Sequence, residues 1–335
     1  MSSYNWRGNL GYNQIVENHP GIHNEKDPHF KESLEHSYAL AQASLSETSG
    51  PKQDKRVIED FINSFKDSHL GVHWNEKSPE NRNTQQIQHF SLQYTTPEII
   101  WISLPTFELD SDQEKEFRFL LQEIPNFRQN HVVVFDLRGN QGGNSGYGSK
   151  IVDALFTQDF AQQQREEANK NVFVDWRASA DNLSYLQSIY KRAHFEWLKP
   201  IVEGITLSLK EQKPYYKEIN VPPPHRHVSG LFLNLVTSKV VVIMDDHNMS
   251  AALDFIDELK MMDSVMLVGK TTKADRVYME ARNVNLPSGL GTFTFPIKVY
   301  RNRVRGDNKP YKPDIECDTN DTSKLEKLVQ HEIEF

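Results

Sequence analysis

"HVVVFDLRGNQGG", His131–Gly143, sets an apolar run directly before an acid, a base, an amide and two adjacent glycines. The run Val132–Phe135 has the length of a buried strand, too short for a helix and far too short to span a bilayer. Gly139 and the Gly142–Gly143 pair allow dihedrals and close approaches that side chains forbid. A turn of this kind can offer backbone N–H groups to an anion. Which anion depends on what else converges there.

Working outward, residues 1–28 are polar and turn-rich and read as a surface arm. Phe30–Leu45 carries apolar residues at helical period, and Val57, Ile58, Phe61, Ile62 and Phe65 mark a second amphipathic helix that runs into Asp67-Ser68-His69. Asn75–Gln88 is polar, a loop or exposed hairpin. Ile99–Leu104 predicts a strand and Asp112–Ile124 a helix. After the glycine turn come a helix over Tyr147–Phe156 and a mostly helical stretch, Thr157–Leu209, with Trp176, Tyr185, Tyr190, Phe195 and Trp197 as core anchors. Pro214–His227, with its three consecutive prolines, is a rigid connector or rim loop. "KVVVIMDDHNMSAALDFIDELKMMDSVMLVGKTT", Lys239–Thr272, then reads strand, turn, helix, strand, and further strands are expected at Val277–Ala281 and Phe293–Val299. Strands alternating with helices predict an α/β layer architecture. The expected organisation is an N-terminal arm and small helical lobe over residues 1–95, a core over 96–320 with a helical insertion at about 157–209, and a C-terminal segment over 321–335.

The chain of 335 residues, 37% hydrophobic, can bury a sizeable core in one large domain or two fused lobes. Its formal net charge of −8, from 46 acids against 38 bases, argues against broad nucleic-acid binding. No basic stripe or recognition motif changes that. The single cysteine, Cys317, excludes an internal disulfide framework and a cysteine metal cluster. Met1–Arg7 lacks the apolar core of a signal peptide, and no transmembrane stretch exists. A soluble protein, cytoplasmic or exported with its signal removed, fits this pattern.

Ser250 is the most suggestive hydroxyl. A serine between a strand and a helix can sit on a tight turn with its oxygen exposed, while the Ala251 N–H at the helix start faces charge developing on a carbonyl. It can equally be an ordinary N-cap, and the G-x-S-x-G elbow is missing. A serine nucleophile needs a base, and His69 is a candidate. Neither His69 with His73 nor His225-x-His227 forms a full metal-ligand set. Gly139-x-x-Gly142-Gly143 lacks the Lys-Ser/Thr ending of a P-loop, and no dinucleotide fingerprint is present. No cofactor or metal is expected.

Together these motifs resemble the S41 family of serine peptidases, the tail-specific or C-terminal processing proteases, and especially its tricorn-like branch. The resemblance is carried by Asp136-Leu137-Arg138-Gly139-Asn140-Gln141-Gly142-Gly143, by Asn248-Met249-Ser250-Ala251-Ala252, by Asp67-Ser68-His69, and by Lys312-Pro313-Asp314-Ile315. It implies a crotonase- or ClpP-like core of mixed sheet with flanking helices. It implies Ser250 as acylating nucleophile, and an oxyanion hole from the N–H groups of Ala251 and of Gly142 or Gly143. Asp136, Arg138 and Asn140 would then brace the turn rather than react.

Family members divide over the base. In the processing-protease branch it is a lysine; the matching register here holds Asp275, with Lys273 two positions early. A lysine base at 273 would require burial to lower its pKa. The tricorn-like branch uses an adjacent Ser-His pair, which Ser68-His69 resembles, together with a distal glutamate. That position falls near Asp307-Asn308, where Asp307 is the candidate orienting acid and an Asn308-centred hydrogen-bond arrangement is the alternative. About 60 residues separate His69 from Val132, too few for an inserted PDZ domain plus the core elements. The expectation is therefore a PDZ-less serine peptidase acting on peptides or proteins, with neither nucleic acid nor membrane as partner. The alternatives are a catalytically weak or inactive peptide-binding homologue and an esterase using the same serine machinery.

Overall fold

The apolar run Val132–Phe135 is consecutive because its strand is buried on both faces, as parallel sheets between helix layers require. In a computed structural model that describes residues 10–75, 89–218, 232–286 and 289–333, the strand Val132–Asp136 lies inside a six-stranded sheet. It pairs in parallel with Ile99–Ser103 on one side and Lys239–Met244 on the other. Beyond Lys239–Met244 follow Val265–Gly269 and the short Ile315–Glu316, also parallel. Ser91–Thr96 closes the opposite edge antiparallel, so the sheet is mixed. Side chains alternate across it. Val133 and Phe135 enter a large cluster with Ile151, Phe255 and Ile256 from the helices Ser145–Phe156 and Ala251–Met262. Val132 and Val134 meet Leu325 and Val329 of the helix Thr322–Ile333 on the other face.

The register sets where loops emerge. Asp136 stands opposite Ile243, so the turns after Val132–Asp136 and after Lys239–Met244 leave the same edge from adjacent strands. Carboxyl ends of parallel strands are where α/β sheets commonly place ligand-binding loops.

The chain divides into two compact units. The unit just described draws on the described residues within 82–170, 222–275 and 308–335. The other draws on those within 1–81, 171–221 and 276–307. Its antiparallel sheet joins Gly71–Trp74, Gly291–Arg301, Phe173–Arg177 and Tyr215–Glu218, with Tyr278–Asn285 also paired to Gly291–Arg301. Its core gathers Phe30, Phe61, Trp176, Ile201, Tyr278 and Phe295.

Sequence expectation and structure differ in three places. The stretch expected as a surface arm holds the helix Leu10–Asn18 and a 3-10 turn over Pro20–His23, with Ile15, Asn18 and His19 buried. The stretch expected as a helical insertion contains the strand Phe173–Arg177 between its helices; a five-residue strand with half-buried alternation leaves little periodic signal among long helices. The units are also discontinuous in sequence, with residues 171–221 belonging beside the N-terminal helices rather than to the parallel sheet. The expected loop or hairpin at 76–88, the proline triplet and His225-x-His227 lie outside the described residues. Among the described residues, no helix is long and apolar enough to cross a membrane.

Candidate active site

Ser250 is the last residue before the helix Ala251–Met262 and has φ 54° and ψ −126°. A residue with a side chain pays for positive φ, so surrounding contacts must impose it. The Ser250 N–H donates to Asp275 Oδ1 at 3.0 Å, and its carbonyl accepts from the Leu253 and Asp254 amides. The side chain makes no capping hydrogen bond, so the ordinary N-cap reading does not describe this serine.

The glycine turn packs directly on this residue. A Cβ added to Gly142, whose φ is 96°, would lie 2.8 Å from Ser250 Cβ and 2.9 Å from the Ala251 nitrogen. One added to Gly143, φ 131°, would strike the Phe107 carbonyl at 2.2 Å. Both positions therefore exclude a side chain by dihedral and by contact. The Gly142 N–H is already committed to Asn140 Oδ1 at 2.8 Å. Among the described residues, neither the Gly143 nor the Ala251 amide has an acceptor. The two orphan donors are thus those of Gly143 and Ala251.

Buried polar groups hold the two turns together. Asn248, fully buried, accepts the Asp245 N–H at 2.8 Å and donates to the carbonyls of Leu137 at 2.5 Å and Asn140 at 3.0 Å. Asp245 Oδ2 accepts the Gly139 N–H at 2.8 Å. Asn140 donates to the Leu104 carbonyl. Asp136 takes the Trp101 indole N–H at 3.0 Å and pairs with Arg138 at 2.6 Å; Arg138 also donates to the Thr319 carbonyl. Burial alone would lower the Arg138 pKa, but the hydrogen bond and charge of Asp136 raise it on balance. This pair is a brace. Sequence reasoning did not single out Asn248, Asp245 or Asp275 for these tasks; their only signal was position, at a strand end or inside the motif.

Lys273 is exposed, and its backbone amide donates to the Asn248 carbonyl. At the position where a lysine base would stand, Asp275 is buried and binds the Ser250 amide.

In the other unit, His69 follows the helix Pro51–Asn63 and precedes the strand Gly71–Trp74. Its Nδ1 lies 3.8 Å from Asp67 Oδ1 and 3.5 Å from Ser68 Oγ. Asp67 also accepts the His69 backbone N–H at 3.0 Å, a turn in which an aspartate caps its own chain two residues on. Asp307 is engaged elsewhere: its carboxylate accepts from Arg276 at 3.0 Å and from the Val277 N–H at 2.8 Å, with the side chain 41% exposed. The acid nearest His69 in the chain, Asp67, lies 3.8 Å from its ring.

A fold of helices around a mixed sheet, with a strained serine at a helix start and glycine amides beside it, fits the serine hydrolases that work by acyl transfer. Residues 98–317 match Peptidase family S41, and the chain belongs to that family. Among curated protein sequences no match is found. Solved structures share the fold over nearly the whole chain. Mature CPAF complexed with lactacystin is 13% identical, with 97% of each chain covered and a TM-score of 0.59. A lipoprotein from Streptococcus agalactiae is 12% identical, covering 97% of this chain and 95% of its own, with a TM-score of 0.52.

Proposed function

We propose that the protein hydrolyses peptide bonds through an acyl-enzyme, with Ser250 as nucleophile and His69 as general base. Family membership supplies the substrate class, peptides or proteins. The observation that carries the chemistry is the Ser250 turn: positive φ, no capping bond, and two orphan amides alongside.

In this mechanism Ser250 Oγ attacks the scissile carbonyl carbon as its proton passes to His69. The carbonyl oxygen becomes an oxyanion that accepts from the Gly143 and Ala251 amides. The anion for which the glycine turn is built is thus transient. Collapse breaks the C–N bond, and the imidazolium returns its proton to the departing amine. Water then attacks the ester, giving up a proton to His69; the acyl C–Oγ bond breaks, His69 returns the proton to Ser250 Oγ, and the carboxylic acid product leaves. Preformed donors of this type are worth on the order of 10²-fold or more in rate.

The test is labelling of the purified protein with a serine-directed phosphonate, mapped by mass spectrometry and paired with peptide turnover. A single adduct on Ser250 is expected, absent in Ser250→Ala and roughly 10²-fold slower or worse in His69→Ala. Labelling without peptide turnover but with small-ester turnover would turn the reading to an esterase. No adduct at Ser250 would leave a peptide-binding homologue.

A further inference from the structure

Asp67 has a second imidazole on its far side. Its Oδ2 lies 3.6 Å from Nε2 of His19, and both side chains are fully buried. The His19 ring is fixed on every side. Gly21 donates its amide to Nδ1 at 2.9 Å. Phe30 stacks on one face with centroids 4.5 Å apart, and Tyr278 meets the ring edge-on at 4.9 Å.

These contacts fix the tautomer. An Nδ1 that accepts an amide proton carries none of its own, so the proton of the neutral ring sits on Nε2, on the side of Asp67. Burial lowers the His19 pKa, against the opposing pull of Asp67, and keeps the ring neutral. Arg276 and Asp27 also act on His19, but they are bonded to each other at 2.7 Å. Asp67 thus presents Oδ2 to an N–H donor and Oδ1 to the backbone and ring of His69.

We propose that Asp67 is the positioning residue for the His69 imidazole and that buried His19 holds Asp67 in place for it. The chain His19–Asp67–His69 then does the work for which a distal acid was expected. This rests on the reading of His69 as the base. A buried carboxylate beside a neutral ring is costly unless a partner charge arises, and one does when His69 takes the serine proton. The 3.6 and 3.8 Å separations exceed hydrogen-bond length, as catalytic contacts often do before substrate binds.

The experiment follows phosphonate labelling of Ser250 in the full chain, with thermal unfolding as the control for folding and the His19→Gln rescue as the test of positioning. Asp67→Asn is expected to slow labelling by on the order of 10²- to 10⁴-fold. Asp67→Ser, which can still cap the His69 amide, serves if the amide is not tolerated. His19→Phe should slow labelling roughly tenfold, while His19→Gln, which can accept from Gly21 and donate to Asp67, should recover most of the rate. The double variant Asp67→Asn/His19→Phe should be no slower than Asp67→Asn alone, since the two residues act as one chain. A folded Asp67 variant that labels within threefold of wild type overturns the inference, as do additive losses in the double variant. His69→Ala separates the layers. If it labels normally, the reading of His69 fails and the inference falls with it; if it is strongly slowed while Asp67→Asn is not, the inference alone fails.

Discussion

The serine turn and the histidine corner are built to different tolerances. Around Ser250, four bonds between 2.8 and 3.0 Å fix the backbone: Gly139 to Asp245, Gly142 to Asn140, Ser250 to Asp275 and Asn248 to Asn140. At the histidine corner, Asp67 lies 3.6 Å from the His19 ring and 3.8 Å from the His69 ring, and Ser68 Oγ lies 3.5 Å from the His69 ring. The difference matches the two tasks proposed for these regions. Backbone donors that stabilise an oxyanion gain by being rigid before the reaction begins. An imidazole that receives a proton and returns it elsewhere benefits from room to shift by a few tenths of an ångström. The tight region is defended by sterics, the loose one by electrostatics, and substitutions should report the two differently.

The largest expected effect falls on the tight side. Gly143→Ala would force a side chain into positive φ and place Cβ 2.2 Å from the Phe107 carbonyl, which is itself bonded to the Asn144 amide. Backbone on both sides cannot yield cheaply, so a loss of roughly 3 kcal/mol or more is expected. At 2–4 °C per kcal/mol for a protein of this size class, that is a fall in melting temperature of about 10 °C or failure to fold. A variant as stable as wild type would show that the loop is looser than its contacts indicate, and the contrast with the histidine corner would dissolve.

Asn248→Asp comes next and sharpens the same contrast. The retained Oδ1 can still accept from Asp245, but the second oxygen would face the carbonyls of Leu137 and Asn140, which now receive N–H bonds. An unpaired charge buried among acceptors costs about 3–5 kcal/mol. Asn248→Ala, which only deletes the bonds, should cost less, roughly 1–3 kcal/mol. Denaturant melts of the two variants decide it; equal losses would mean that Asn248 is filling space rather than clamping two turns.

How much of this was legible in the sequence follows from the same physics. The buried strands were readable because Val132–Phe135 and Val240–Met244 are apolar without interruption and end in turn residues, a pattern set locally. Gly142 and Gly143 were readable because a side chain is forbidden there, and only glycine satisfies the constraint. Which glycine amide stays unpaired was not, since it depends on where the Asn140 side chain turns. The buried arm was missed because Leu10–Asn18 owes its burial to an antiparallel sheet whose strands are scattered along the chain. His19 left no signal at all. Its partner Asp67 is 48 positions away by residue number, and one histidine among 13 carries no pattern. The expectation of an orienting acid at Asp307 rested on a distal register, whereas the proposed Asp67 sits within the motif itself, two residues before His69.

The smallest expected effect concerns Lys273, the rival base. A lysine acts as a base near neutral pH only when burial or neighbouring cations pull its pKa down from about 10. Lys273 is exposed, and what it contributes to the serine turn is its backbone amide, bonded to the Asn248 carbonyl. Alanine keeps that amide. Lys273→Ala should therefore label within about twofold of wild type and melt within about 0.5 kcal/mol of it, as surface substitutions usually do. The measurement is sharpest beside His69→Ala. A Lys273→Ala protein that folds but labels 10²-fold slower, next to a His69→Ala protein that labels normally, would move the base onto the serine's own unit.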